Sequence, residues 1–516
     1  MRHLFARAPV EDLDGSSGGL HRVLGKWHLT ALGVGATIGA GIFATTGTAI
    51  VGDSVRLGAG PAIVVSFLLT AITCGFAALC YAEFASMVPI SGSAYTYAYA
   101  SLGELVAWII GWDLIVEYAV GNIGVAIGWS GYFRELLTHF GLALPPWLAT
   151  DARSAQMAAE AVAAGATDAT SLYLASALTT APNVLGFNFI ANLPAFLIVG
   201  CITTILVIGI RESAGSNNAM VILKLAIILF FVAVGATLIR PEHWTNPGTG
   251  GFAPNGFAGI SAGAAIIFFS YIGFDATSTA AEEAKDPGRD MPFGIIMSLV
   301  ICTVVYILVA GVMTGMAPWR QLGTAEPMIT ALALADGSPG LLTFSRFIVS
   351  LGAVFAMTSV LLVFQLGQPR IFMSMSRDGL LPPFFAKVHS RFRTPYVGTI
   401  ITGTFVGTFA AFANIAEVVE LTNIGTLFAF VLVSAGVIVL RRAEPDRPRP
   451  FRVPFVPLVP ILSILSCLYL MLQLPLLTWI RFGLWLALGL VIYFLYGIRH
   501  SRLAAERQRG SGAAGR

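Results

Sequence analysis

The chain has 516 residues, is 56% hydrophobic and only 11% charged, and has a mean hydropathy of +0.80. A soluble domain carries about 25% charged residues, so this composition excludes an ordinary soluble protein and defines an integral membrane one. The net charge of +3 is too small to say much about partners, and nothing in the sequence points to nucleic acid.

The chain opens on a polar stretch, and its first apolar run starts near Leu29, so no cleavable signal peptide is expected. Apolar runs of about 20 residues, each enough to cross a ~30 Å hydrocarbon core, then recur. They predict an all-α membrane protein with twelve spans at 29–50, 61–85, 105–133, 191–210, 219–239, 259–281, 292–317, 341–371, 396–413, 416–440, 457–475 and 478–498. The third is extended and reaches back toward Tyr95. Placing the N-terminus in the cytoplasm puts 22 of the 30 lysines and arginines inside and 7 outside, with Lys224 within a span. Basic residues concentrate on the cytoplasmic side, so both termini are expected there.

The longest outside segment, about 141–190, contains the Ala-rich "SAQMAAEAVAAGATDA", which predicts a short surface helix without evident chemistry. The C-terminal "AAERQRGSGAAGR" reads as a solvated, disordered tail. The five cysteines lack paired spacing and read as small core residues, so neither a disulfide framework nor a metal site is expected. The seven histidines lie outside the apolar centres. No cofactor is implied, and no nucleophile–base arrangement suggests an enzyme.

The first span carries "TIGAGIF" (Thr37–Phe43), with Gly39 and Gly41 in the helix interior. Each glycine costs about 1 kcal/mol relative to alanine there. Two readings stand: small residues let helices pack closely, or the helix unwinds and its freed N–H groups bind an anion such as a carboxylate. Unwound backbone at this depth must line a cavity or be buried in protein. The sixth span carries a second interruption, "FFSYIGFDATSTA" (Phe268–Ala280), with Gly273 and Asp275 in an apolar helix. If spans 1–5 and 6–10 are repeats, the two breaks correspond and the halves are inverted, which is the best sequence pointer to a transporter's central site.

Other polar residues stand out in apolar surroundings. Lys224, in "VILKLAIILFF", lies several residues inside the fifth span. Either its long stem snorkels to the interface, or the ammonium is buried and functional. Asp113 and Glu117, four apart in "WDLIVEY", share a helix face. Intramembrane carboxylates usually face the protein interior.

"GVGATIGAGIF", "AEFASMVPISGSAYTYAYASLGELVAWIIGWDLIVEYAVG", "FFSYIGFDATSTAAEEAKDPGRDMP" and "MSRDGLLPPFFAKVHSRFRTP" occur in this order. Together they resemble the amino acid–polyamine–organocation superfamily, and most closely the bacterial relatives of its cationic amino acid transporter branch. The resemblance covers about residues 25–500. It implies a five-plus-five inverted repeat (residues 29–440) with two additional C-terminal spans (441–498), flanked by cytoplasmic segments 1–28 and 499–516. It also implies amino acid transport by alternating access across the bacterial inner membrane.

By match to the family, the N–H groups of Ala40 and Gly41 would hold the substrate carboxylate. The carbonyl of Thr37 or Ile38, and those of Phe269, Ser270 and Ile272, would hold its ammonium. Some branches carry Ser or Thr where this chain has Ala40, so carboxylate binding here rests on backbone amides. Phe274 matches an aromatic gate, or else packs in the core. Lys224 resembles the residue that stands where sodium-coupled relatives bind sodium, against span 1 carbonyls and span 8 hydroxyls, and a buried amine there becomes a candidate proton carrier. Thr358 and Ser359 resemble sodium ligands of other members, but Lys224 competes for them, which favours proton coupling. Glu117 matches the family's acid on span 3, pairing with Lys224 or relaying protons. Asp113 anchors the helix, and Asp275 orients or caps the broken segment. Leu361 matches a position that limits pocket size, and a bulky apolar residue there favours small or medium neutral amino acids over cationic ones. The expected partners are an amino acid, protons and membrane lipid. An uncoupled exchanger, a polyamine carrier and a sensor with vestigial transport are the alternatives.

Overall fold

The computed structural model describes residues 22–502, apart from 54, 88–92, 164, 166–168, 185, 210–213, 247 and 249. The basic residues of the N-terminal stretch before Arg22, Arg211 and the C-terminal tail from 503 lie outside the described residues. Among the described residues, nine helical segments are long and apolar enough to cross a membrane, and Leu193–Ile208, Tyr396–Phe412 and Leu458–Leu472 are shorter apolar helices. The chain is an all-α, multi-span membrane protein. A two-residue β-hairpin, Asn183–Val184 (β1) against Phe187–Asn188 (β2), is a small addition in the 141–190 segment.

The first membrane segment comprises α1 (Lys26–Thr37), a break, a π-helical turn (Gly41–Thr45) and α2 (Thr46–Val51). There follow α3 (Ile63–Met87), α4 (Ser93–Ser101), α5 (Glu104–Ile115), a second π turn (Val116–Val120) and α6 (Gly121–His139). Gly103, at φ 98°, separates α4 from α5, so the third membrane segment begins at Glu104 and not at Tyr95. The Ala-rich stretch forms α7 (Ala152–Ala163), which packs with α8 (Ala169–Thr180). The next membrane helices are α9 (Leu193–Ile208), α10 (Ala214–Ala236) and α11 (Gly256–Ile267). After a second break come α12 (Pro287–Met316), the short α13 (Pro327–Leu334), α14 (Pro339–Arg377), α15 (Tyr396–Phe412) and α16 (Ile415–Ala443). The last two membrane helices are α17 (Leu458–Leu472) and α18 (Leu476–Ile492), and a π turn and the short helix Ile498–His500 follow.

Helix starts follow local chemistry. Proline occupies the first turn of α9, α12, α13 and α14, where its missing N–H costs nothing. Asn192 caps α9 by accepting from Ala195 N at 3.2 Å, and Asn414 caps α16 by accepting from Ala416 N at 3.0 Å. The most extensive packing joins α12 with α3 and α1, α6 with α14, α9 with α15, and α16 with α17. The third π turn, Tyr493–Gly497, lets the C-terminal end fold back, so that Tyr493 Oη and Ser501 Oγ both donate to the buried Glu104 carboxylate.

One polar cluster ties distant parts of the chain. Glu83, near the end of α3, is 1% exposed. It accepts from Arg441 Nε at 3.0 Å and Nη2 at 2.6 Å, and from Val453 N at 2.7 Å. Arg449 Nε lies 3.4 Å away. Breaking a buried ion pair by removing one charge costs roughly 3–5 kcal/mol. Glu83→Gln is therefore expected to lower the thermal unfolding midpoint of the detergent-solubilised protein. Adding Arg441→Met should cost much less than its effect in the wild-type background. Additive losses would show that the pair is not coupled.

Candidate functional site

The two breaks cross each other in the centre of the bundle. After α1, Ile38 leaves the helix at φ −77°, ψ 97°. After α11, a 3-10 turn over Phe268–Tyr271 ends in extended Ile272 (φ −61°, ψ 132°), and Gly273 takes φ 117°. A Cβ on Gly41 would lie 2.2 Å from Ser270 Cα, and a Cβ on Gly273 would lie 2.8 Å from the carbonyl carbon and oxygen of Ala36. Each break thus presents a glycine to the backbone of the other. Any side chain at either position would displace main chain, and Gly273 additionally needs its left-handed φ. Asp275 Oδ1 accepts from Gly273 N at 3.3 Å.

Backbone groups freed by unwinding need partners, and three side chains supply some. The Tyr306 hydroxyl on α12 lies 3.0 Å from Thr37 O and 2.8 Å from Ser270 O, bridging the two breaks. Asn423 Nδ2 on α16 donates to Ala265 O at 2.7 Å and Ile266 O at 3.2 Å. Tyr132 Oη on α6 donates to Phe43 O at 2.6 Å. Sequence reasoning missed all three. Their signal is a lone hydroxyl or amide in an apolar run, which does not reveal its target.

Lys224 is 2% exposed, and its ammonium is turned inward, not to the interface. Nζ donates to Gly35 O at 2.8 Å, Ile38 O at 3.3 Å and Ser359 Oγ at 3.2 Å, with Ala356 O at 3.5 Å. It joins the end of α1 to α14. Thr358, the other half of the hydroxyl pair, points elsewhere: it donates to Val354 O and accepts from Trp129 Nε1 at 2.9 Å.

Glu117 and Asp113 are buried. Glu117 sits on the π turn and faces Asp275 and the Thr426 hydroxyl, whereas Asp113 lies against Gly425 of α16. Among the described residues, no ion pair joins Glu117 to Lys224.

The walls of the crossing are apolar. Gly121, Gly124, Gly128 and Gly131 form a seam along α6. A Cβ on Gly124 would lie 3.3 Å from the Phe269 ring, and one on Gly128 would lie 3.2 Å from the Cβ atoms of Ala40 and Ala44. Val360 packs over Gly39, and Met357 reaches Gly128, while Leu361 is fully buried on the same helix. Phe274 packs edge-on against Tyr81 and beside Phe430, 5.3 Å between ring centres. Two cavities lie away from the crossing. One of about 560 Å³ is lined by His139, Phe140 and Phe344, and another of about 470 Å³ lies between α3 and α12.

Two interrupted membrane helices crossing at buried main chain, with Lys224 held against one of them, are an arrangement typical of the binding sites of membrane carriers. Residues 24–494 match the amino acid permease family. The chain is 45% identical over 504 residues, 97% of its length and 99% of the relative's, to the branched-chain amino acid permease BcaP of Bacillus subtilis. It is 43% identical to the methylthioribose transporter of the same organism, over 98% of this chain and all of that protein. It is 36% identical to a vacuolar cationic amino acid transporter of Arabidopsis thaliana, over 87% of this chain and 65% of that protein. The chain belongs to the amino acid permeases of the amino acid–polyamine–organocation superfamily, which makes it a membrane amino acid transporter and not an enzyme.

Proposed function

We propose that the chain takes up neutral L-amino acids, branched-chain ones foremost, by proton-coupled alternating access. The observation that carries this reading is the crossing of the two breaks, with Lys224 anchored on the Gly35 and Ile38 carbonyls beside it. In this reading Ala40 and Gly41 N–H groups hold the carboxylate. Carbonyls of Thr37 or Ile38, with Phe269, Ser270 and Ile272, hold the ammonium. Thr37 O and Ser270 O each keep a second lone pair beyond the one that meets Tyr306. Phe274 and Leu361 bound the pocket, Lys224 carries the proton, and Glu117, facing Asp275, relays it. Asp113, Thr358 and Ser359 support these elements.

The same proposal assigns twelve spans, the three shorter apolar helices included, as an inverted five-plus-five repeat over 29–440 with two further spans at 441–498. Packing of α3 with α12, α6 with α14 and α9 with α15 supports this, since each pair relates a span to its counterpart five spans later. The distribution of basic residues favours both termini on the cytoplasmic side of a bacterial inner membrane. The Arg134 end of α6 then faces outward.

A thermal-shift screen of all amino acids, followed by uptake of the best ligand at varied pH, tests the function. Leucine, isoleucine or valine should stabilise the protein most, and their accumulation should depend on an imposed proton gradient. Gradient-independent exchange would contradict coupling. The methylthioribose relative gives a second reading: a shift with methylthioribose and none with amino acids would favour it. The Leu361→Ser variant is expected to gain arginine binding, read as a new thermal shift, because the substitution opens room and adds a hydroxyl. Unchanged specificity would count against Leu361 as the size filter.

A further inference from the structure

At the outward end of α6, three neighbouring residues grip the structures that cover the crossing. Tyr132 bonds the Phe43 carbonyl of the first π turn. Arg134 Nη2 lies 2.9 Å from Glu326 Oε1, with both side chains largely buried, at 13% and 6% exposure. Gly131 makes room for that carboxylate, since a Cβ there would lie 2.2 Å from Glu326 Oε1. The Arg134 guanidinium also sits 5.0 Å over the Tyr173 ring of α8.

Glu326 is the residue immediately before α13. That short helix packs on the π turn Gly41–Thr45. The loop leading to it lies on α2, where a Cβ on Gly47 would meet Leu322 O at 2.4 Å and Thr324 O at 2.7 Å. The α13 segment therefore covers the half of the first membrane segment beyond its break. The Arg134–Glu326 pair fastens the start of this cover to α6. Neighbouring charges are otherwise engaged: Glu135, next in sequence to Arg134, pairs with Arg346 of α14.

We propose that the Arg134–Glu326 pair is the outer latch of the transport cycle, positioning α13 over the site and parting whenever the site opens outward. This rests on the orientation and alternating access proposed above. Neither residue touches substrate in that scheme, so both are positioning residues. A buried charge pair suits a latch, because its attraction is strong in the closed state and water replaces it in the open one.

The test is labelling of an Ala44→Cys reporter, on the π turn, by a membrane-impermeant maleimide in proteoliposomes of known sidedness, with Cys201→Ser removing the exposed native thiol. Glu326→Gln should raise the labelling rate from the outer face by about tenfold, a shift of about 1.4 kcal/mol in the opening equilibrium. It should also lower maximal uptake more than it changes KM. The reversal Arg134→Glu with Glu326→Arg should restore slow labelling. Should Glu326→Gln not fold, Glu326→Asp keeps the charge, lengthens the pair, and should give an intermediate rate. Unchanged labelling in folded Glu326→Gln or Glu326→Asp would overturn the latch, even if stability fell. A rise confined to the cytoplasmic face would overturn the outer assignment and with it the orientation, while leaving substrate binding untouched as a separate measurement.

Discussion

Lys224→Met is expected to reduce proton-gradient-driven accumulation to the level seen without a gradient, while counterflow of the preferred amino acid persists. Methionine keeps most of the volume of the lysine stem but cannot donate to Gly35 O, Ile38 O or Ser359 Oγ. If the amine takes up and releases the coupling proton, no other group at this position replaces it. Losing these donors leaves carbonyls at the end of α1 without their charged partner, at a cost of about 1–3 kcal/mol for a buried unsatisfied group. Binding should weaken somewhat, but the qualitative change is in coupling. Replacing sodium by choline should leave wild-type uptake unaltered. Full pH-driven uptake by Lys224→Met would remove the lysine from the coupling scheme.

The second large effect is expected for Gly41→Ala. One methyl group placed 2.2 Å from Ser270 Cα overlaps main chain, which has no rotamer with which to retreat. The two breaks would have to separate by more than an ångström, and overpacking at a well-packed site costs typically 1–3 kcal/mol, occasionally more. The variant should lose ligand-induced thermal stabilisation altogether, with uptake at background. Gly75→Ala is the matched control. An added Cβ there meets nothing within 4 Å, and alanine gains about 1 kcal/mol of helix propensity. Equal behaviour of the two variants would mean that the crossing tolerates separation.

Much of this site is legible in the sequence, for identifiable reasons. Glycines within apolar helices are costly, so Gly41 and Gly273 mark places where something other than helix stability is needed, and both meet opposing backbone. Lys224 is legible because a charge in an apolar run must find a partner. Which partner is another matter. Thr358 and Ser359 are adjacent, and successive residues on a helix point about 100° apart, so the rotation of α14 alone decides that Ser359 meets the lysine and Thr358 meets Trp129. Opposite charge suggested that Glu117 pairs with Lys224, yet Glu117 lies beside Asp275 and Thr426. Charge identifies candidates for pairing but not the faces on which they lie. Tyr306 is illegible for a related reason. A single hydroxyl in "VVYILVA" has no periodicity to betray that it bridges two breaks, one of them 269 residues away in sequence.

The assignment of substrate side chain is the part furthest from the backbone chemistry. Relatives of nearly equal similarity bear names of a branched-chain amino acid permease and a methylthioribose transporter. On the proposed reading, the main-chain groups of the crossing recognise any α-amino acid, and the walls at Met357, Val360 and Leu361 select among side chains.

One binding experiment tests this recognition most directly. Thermal stabilisation or calorimetry would compare L-leucine with 3-methylbutylamine, which lacks the carboxylate, and 4-methylpentanoate, which lacks the ammonium. If backbone N–H groups of one break hold the carboxylate and carbonyls of the other hold the ammonium, each truncated ligand should bind at least about 100-fold more weakly than leucine, a loss of roughly 2.7 kcal/mol. Retention of leucine-like affinity by either one would contradict recognition of the amino acid by the two crossed breaks.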